Sequence, residues 1–371
     1  MTVDGKFIRN VLIKGLLLFL VLDLLVVGID PAWLGKVSLY NHILPGRLRF
    51  PFGEDSAQSY NLSLFNLDAM FAALRIANGP KPVDEYRVIV VGDSSTWGTL
   101  LRPEETLAGQ LDSAGLKMCG KTVRVYNLGY PTISLAKDLM VLDYAMRDQP
   151  DLVLWPITLE AFPEDKQLST PIVANNAARV DDLIARYGLP FKMGDPALVR
   201  QNFWDRTLIG QRRTLADLFR LQMYGVLYAA TGIDQVYPKD YDHAQLDYST
   251  DLSYHGMKPP TLDATQLAFP VLEAGMRAAG KTPVLLINEP MLISTGKNSE
   301  SHYNFFYPRW AYDQWRQMMA QKAAEQKWKY LDVWNIVPAD QFTNSAIHLT
   351  PAGETILADQ VQKSMLEQTC P

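Results

Sequence analysis

Cysteine is scarce in this 371-residue chain: Cys119 and Cys370 are too few for a disulfide scaffold or a cysteine-built zinc site. The pair is compatible with one disulfide and with two free thiols alike. Five histidines, His42, His243, His255, His302 and His348, never fall at the HxxxH or HxH spacing of a metal site, so neither metal nor cofactor is expected. An excess of basic charge is also missing. With 35 basic against 40 acidic side chains the formal charge is −5, which excludes a nucleic-acid partner held through phosphates. No P-loop lysine follows a glycine-rich turn and no GxGxxG follows a strand, which excludes a nucleotide-dependent enzyme. Repeats and low-complexity tracts are absent. At 48% hydrophobic and 20% charged residues the chain is neither disordered nor collagen-like, and its length allows two domains or one elaborated domain.

One long apolar run stands out. Residues 11–29, VLIKGLLLFLVLDLLVVGI, are interrupted only by Lys14 and Asp23 and match the length of a bilayer core. The run is expected to be a transmembrane anchor, with residues 1–30 as cytoplasmic tip and span. The sequence after Gly28, IDPAWLG, lacks the small-x-small pattern of a cleaved leader, and core helices seldom run apolar on every face. Lys6, Arg9 and Lys14 precede the run and Asp30 follows it. The positive-inside rule then keeps the amino terminus in the cytoplasm and makes the protein single-pass, with an extracytoplasmic main domain. Asp23 inside the run calls for a polar partner, such as a multispanning membrane protein, or a tilt toward an interface. Beyond residue 14 the chain carries 32 basic against 39 acidic residues, which predicts no attraction to anionic lipid.

The rest reads as strands alternating with helices. Residues 31–85 form a connector, with PGRLRFPFGED turn-rich and SLFNLDAMFAALRIANG as one amphipathic helix. β-Branched or apolar runs then appear near 86–93, 123–129, 151–158, 282–290 and 329–337, each followed by helical periodicity. Runs this uniformly apolar belong in a sheet covered on both faces. The expected fold is α/β, a doubly wound α/β/α sandwich of about five parallel strands built from 86–160 and 281–371, with a mainly helical insertion over 161–280.

In such folds chemistry collects at the carboxyl ends of the strands. The first strand ends in Gly92-Asp93-Ser94-Ser95, which exposes the Ser94 hydroxyl and lets Asp93 brace the turn. His348 lies in NSAIHLTPAG before the last helix, where an imidazole can reach the same rim as a general base. Capping is the bland role for each. Asn288 and Glu289 close the fourth strand and are site-lining candidates. Trp97, Tyr130 and Trp155 adjoin these turns, as a stacking wall or as core.

Gly92-Asp93-Ser94-Ser95, Asn127-Leu128-Gly129 at the end of the second strand and HLTPAG before the last helix together resemble the SGNH (GDSL-type) hydrolase superfamily over roughly half the chain. The resemblance implies Ser94 as nucleophile, His348 as base and the N–H groups of Ser94 and Gly129 as oxyanion donors. An SGNH domain behind one membrane helix further resembles proteins that work beside membrane-bound O-acyltransferases. Two positions depart from the pattern. Pro156-Ile157-Thr158-Leu159 stands where the superfamily has Gly-x-Asn-Asp, leaving Thr158 as substitute donor, and Ser345 stands where an aspartate normally precedes the histidine. Asn344 or Asp340 is left to orient the ring. The resemblance thus implies a membrane-anchored esterase or O-acyltransferase acting on acyl esters of a cell-surface glycan or lipid-linked polymer. The alternative is a catalytically silent subunit of a membrane complex.

Overall fold

The computed structural model describes residues 4–29, 31–52, 65–231, 240–367 and 370. Asp30 and parts of the expected connector and insertion lie outside them. A first helix, α1 (Gly5–Val26), is followed by the short α2 (Tyr40–Ile43) and α3 (Leu67–Ala72). The sheet begins with β1 (Glu85–Gly92), α4 (Ser94–Trp97) and α5 (Leu107–Ser113), then β2 (Lys117–Met118), β3 (Lys121–Gly129), α6 (Leu135–Ala145) and β4 (Leu152–Ile157). The inserted stretch holds α7 (Pro171–Ala174), α8 (Ala177–Tyr187), α9 (Leu208–Thr231) and α10 (Phe269–Ala278). β5 (Val284–Asn288), α11 (Arg309–Gln326), β6 (Lys329–Asp332) and α12 (Pro351–Leu366) complete the order.

The strands lie in the order β2-β3-β1-β4-β5-β6. β3, β1, β4, β5 and β6 are mutually parallel, as the apolar runs predict, but β2 pairs antiparallel with β3, so the sheet is mixed. β2 is too short to leave an apolar signature. It is the arm of a hairpin whose turn residues, Cys119 and Gly120, both have positive φ, 53° and 76°. Alternate side chains of each strand enter different layers. Val88, Val90, Leu152, Leu154, Leu285 and Ile287 pack under α5 and α12, whereas Ile89, Val91, Val153, Trp155 and Leu286 pack under α6, α10 and α11. Cys119 is disulfide-bonded to Cys370, with Cα atoms 5.5 Å apart, which ties the carboxyl terminus to the hairpin turn.

Two expectations are corrected. The connector helix is interrupted: residues 63 and 64 are not among those described, and after α3 the chain turns at Leu74. There the Arg47 N–H donates to the Ala73 carbonyl and the Arg75 N–H to the Arg47 carbonyl, both at 2.9 Å, a strand-like exchange that competes with helix. The apolar amino-terminal run does become a helix, α1. Among the described residues, however, no helix is long and apolar enough to cross a membrane. Every 18-residue stretch of α1 holds at least three charged side chains, drawn from Lys6, Arg9, Lys14 and Asp23. Asp23 is the one buried residue of α1. Its Oδ1 accepts the Ile209 N–H at 2.9 Å, so it serves one of the open donors in the first turn of α9.

Candidate active site

Taken over the five parallel strands alone, the order places β1 second, between β3 and β4, with the chain running first to β3 and then to β4 on the other side. The crevice above β1 and β4 is the topological switch point where such sheets bind ligands. Val90 pairs with Leu154, and carrying that register forward sets Ser94 level with Thr158.

Ser94 opens α4 directly after β1. Asp93 caps the turn, its Oδ1 accepting the Ser95 N–H at 2.8 Å. Two glycines let this turn sit low on the sheet. A Cβ on Gly92 would lie 2.1 Å from Thr96 Oγ1, and one on Gly129 would lie 2.4 Å from the Trp97 nitrogen. The buried Arg49 closes the far end, donating through Nη1 to the carbonyls of Trp97 at 2.9 Å and Gly98 at 2.7 Å.

His348 arrives 254 residues later. Its loop is pinned by the Thr343 N–H donating to the His348 carbonyl at 2.8 Å, and Thr350 caps α12 by accepting the Gly353 N–H at 3.1 Å. The ring then lies with Nε2 2.8 Å from Ser94 Oγ and Nδ1 2.8 Å from Asn344 Oδ1. An amide oxygen accepts from Nδ1–H, which leaves Nε2 bare and able to accept the serine proton. Burial pushes the His348 pKa down to about 4, so the imidazole is neutral at physiological pH. Asp340 is not part of this array; it is exposed on a 3₁₀ turn, Ala339–Gln341.

The two remaining oxyanion candidates fare differently. Gly129 N–H donates to Asn127 Oδ1 at 2.9 Å, while Asn127 Nδ2 reaches the Thr96 carbonyl at 2.7 Å. The donor assigned to Gly129 by resemblance is therefore spent on the Asn127 side chain. Thr158 Oγ1 lies 2.5 Å from the hydroxyl of buried Tyr307, which also accepts the Glu160 N–H at 3.1 Å. If Thr158 donated to Tyr307, the phenolic proton would have no acceptor among the described residues. The satisfied arrangement has Tyr307 donating to Thr158, and this frees the threonine proton for another acceptor.

Under the serine turn lies a buried charged group. Lys137, fully buried, donates to the Gly92 carbonyl and pairs with Asp138 at 2.5 Å. Glu289 does not line an open site; it is 3% exposed and accepts the Ser95 hydroxyl proton on Oε2. Burial, reinforced by nearby Asp93, pushes its pKa well above the carboxylate range. Burial likewise raises Asp93 and Asp138, against the opposing charge of Lys137, and lifts Glu354 to about 8. Glu289 and Glu354 face a cavity of about 10 Å³ beside Ser95 and Thr96, room for one water. Asn288 is fully buried and braces the strand end, donating to Asp332 at 2.8 Å and accepting from Tyr312 at 3.0 Å.

Tyr307, Lys137 and Glu354 were not legible as site residues. Tyr307 sits in no motif, and Lys137 and Glu354 sit in helices where a charged residue ordinarily faces solvent. His255, one of the five histidines without metal-site spacing, lies 3.2 Å from both carboxylate oxygens of Glu160; that bond raises the histidine pKa. Among the described residues no group of three His, Cys, Asp or Glu side chains is placed to hold a metal ion.

No protein-family profile and no curated protein matches the chain. Solved structures do. A lipolytic G-D-S-L family protein from Veillonella parvula is 10% identical over 76% of this chain and 99% of that one, at a TM-score of 0.38. A carbohydrate acetylesterase family member from Sinorhizobium meliloti is 14% identical over 75% and 96%, at 0.33. The periplasmic domain of a lipopolysaccharide acetyltransferase from Salmonella ser. Paratyphi A is 10% identical over 79% and 88%, at 0.33. These likenesses are too distant to assign chemistry, which rests on the Ser94–His348 geometry. The structures the chain is similar to are GDSL-type lipolytic esterases and an acetyltransferase domain.

Proposed function

We propose that this protein is an SGNH-type serine esterase or O-acyltransferase, acting on acyl esters of a cell-surface glycan or lipid-linked polymer and held at a membrane by α1. The observation that carries the reading is the 2.8 Å approach of Ser94 Oγ to a neutral His348 Nε2, with Nδ1 held by Asn344. His348 takes the hydroxyl proton as Ser94 Oγ attacks the ester carbonyl. The Ser94 N–H, which has no partner within the first turn of α4, and the Thr158 hydroxyl receive the oxyanion. The tetrahedral intermediate then collapses: the C–O bond to the alcohol breaks and His348 hands its proton to that oxygen. Water or a sugar hydroxyl, deprotonated by His348, attacks the acyl-serine, and the proton returns to Ser94.

The exposed apolar side chains of α1 support attachment to lipid, and the Cys119–Cys370 disulfide supports an oxidising, extracytoplasmic location. Asp23 accepts the Ile209 N–H within the chain, and a multispanning membrane protein as a further partner stays a proposal. A second reading, a silent binding subunit, draws on the amide at Asn344 and the occupied Gly129 N–H. A fluorophosphonate probe separates the two. The esterase reading expects labelling that vanishes in Ser94→Ala and weakens in His348→Ala; an unlabelled, folded wild type would leave the silent subunit.

A further inference from the structure

The longest helix of the insertion has two faces of different character. Thr207, just before α9, and Gln211, Leu218 and Leu221 within it form the buried side. Gln222 anchors the helix to the connector, accepting the Leu39 N–H at 2.8 Å and donating to the Val37 carbonyl at 2.7 Å. The opposite side follows the helical spacing 209, 212, 213, 216, 219, 220, 223, 227. Ile209, Phe219, Met223 and Leu227 on it are 50%, 65%, 58% and 51% exposed. Arg212, Arg213 and Arg220 interleave with them and are exposed too, with Asp217 the one acid beside Arg213 and Arg220.

α1 gives this face its setting. Its large apolar residues are exposed along its length and around its circumference, from Phe7 at 59% through Leu12 at 67% and Leu16 at 60% to Leu25 at 63%. A folded protein partner covers one stripe of a helix; apolarity on every side suits a lipid continuum. α1 meets the body near its carboxyl end, where Asp23 accepts from the first turn of α9. If α1 lies in lipid, its base and the adjoining α9 stand at the bilayer surface. Arginines alternating with large apolar side chains are the composition of a helix lying in the headgroup layer.

We propose that the outer face of α9 lies in the headgroup layer of an anionic bilayer, with the arginines on lipid phosphates and Phe219, Met223 and Leu227 among the upper acyl carbons. The inference rests on the membrane attachment proposed for α1. It also sets a local exception to the net acidity of the chain, which by itself predicts no affinity for anionic lipid.

The test uses the full chain carrying Met223→Cys or Leu17→Cys. The native cysteines are bonded to each other, so each new thiol takes an environment-sensitive fluorophore alone. The chains are mixed with phosphatidylcholine vesicles, with and without phosphatidylglycerol, and with headgroup-region spin-labelled lipid as quencher. The expected result is a blue shift and quenching at both positions. Charge reversal at Arg212 and Arg213 should weaken the Met223 signal on anionic vesicles by roughly fivefold per residue. Quenching at Leu17 with a water-like Met223 overturns the placement of α9 and leaves membrane attachment standing. No quenching at either position overturns the attachment and the inference with it. Shielding of Met223 only when another membrane protein is added overturns the lipid assignment in favour of a protein cover.

Discussion

Replacing Asn344 by aspartate tests the catalytic array most directly, because it changes one atom type at a fixed position. The amide oxygen sits 2.8 Å from His348 Nδ1 and orients the ring, but it carries no charge to stabilise the imidazolium formed when Ser94 is deprotonated. A carboxylate in contact with a titrating group moves its pKa by about 1–3 units. Asn344 is exposed on its outer side, and solvent screening favours the lower part of that range, about 1–2 units or roughly 1.4–2.7 kcal/mol. In the wild type His348 stays neutral down to about pH 4, so the proposed activity should be lost as pH falls through that value. In Asn344→Asp the acid limb should move up by about 1–2 pH units and the plateau rate should rise by roughly tenfold to a hundredfold. Hydrolysis of an activated acetate ester between pH 3 and 8 reads both quantities, with a melting curve to show that the fold is kept. An unmoved acid limb together with an unchanged plateau would refute the placement of Asn344 behind the base.

Three further outcomes are expected. Thr158→Val should lower kcat by about a hundredfold with KM little changed, and Tyr307→Phe should lower kcat in the same sense; steady-state kinetics showing no loss in Thr158→Val would remove that hydroxyl from the oxyanion site. Serine at both Cys119 and Cys370 should cost about 2–4 kcal/mol in urea unfolding, and reductant should bring the wild type to the same midpoint. Glu354 holds its proton in the fold up to about pH 8 but loses it near 4.5 when unfolded, so it removes stability as pH rises through that window. Glu354→Gln should abolish this loss and gain roughly 3 kcal/mol at pH 7 but little at pH 4.5, as unfolding midpoints at the two pH values would show.

The strands were legible because both faces of the sheet are covered, so Val88 to Val91 and Leu152 to Ile157 could be apolar at every position. The Ser94 and His348 turns were legible because each joins a recognisable strand end or helix start to a residue type with few ordinary uses. β2 left no trace, since two residues cannot show a period. The break after α3 depends on Arg47, 27 residues before Leu74, and local periodicity does not register a long-range exchange of backbone bonds. At the site, the sequence names residues but not the direction of their protons. Gly129 ends its strand as expected, yet only the fold reveals that its N–H is turned onto Asn127. Asn288 and Glu289, adjacent at one strand end, go separate ways: one braces β6 and α11, the other reaches under the serine.

On the proposed mechanism, the buried acids bear on how a site short of oxyanion donors can favour the intermediate. Four buried acids, Asp93, Asp138, Glu289 and Glu354, lie around the turn that carries Ser94, and the buried Lys137 pairs with one of them, Asp138. Were all four ionised, their excess negative charge would oppose the oxyanion forming above them, at the low effective dielectric of a dry interior. Burial opposes this by raising each of them, and carries Glu289, whose Oε2 accepts the Ser95 hydroxyl proton, well above the carboxylate range. Lys137 offsets Asp138 and fixes the Gly92 carbonyl, so its positive charge is spent at the base of the turn. A protonated Glu289 can still accept from Ser95 on Oε2, while its other oxygen faces the small cavity. Asp138 is thus offset by Lys137, and Glu289 braces the turn as a hydrogen-bonding group whose burial disfavours its charge. A site with few donors of its own is thereby spared the field that would cancel them.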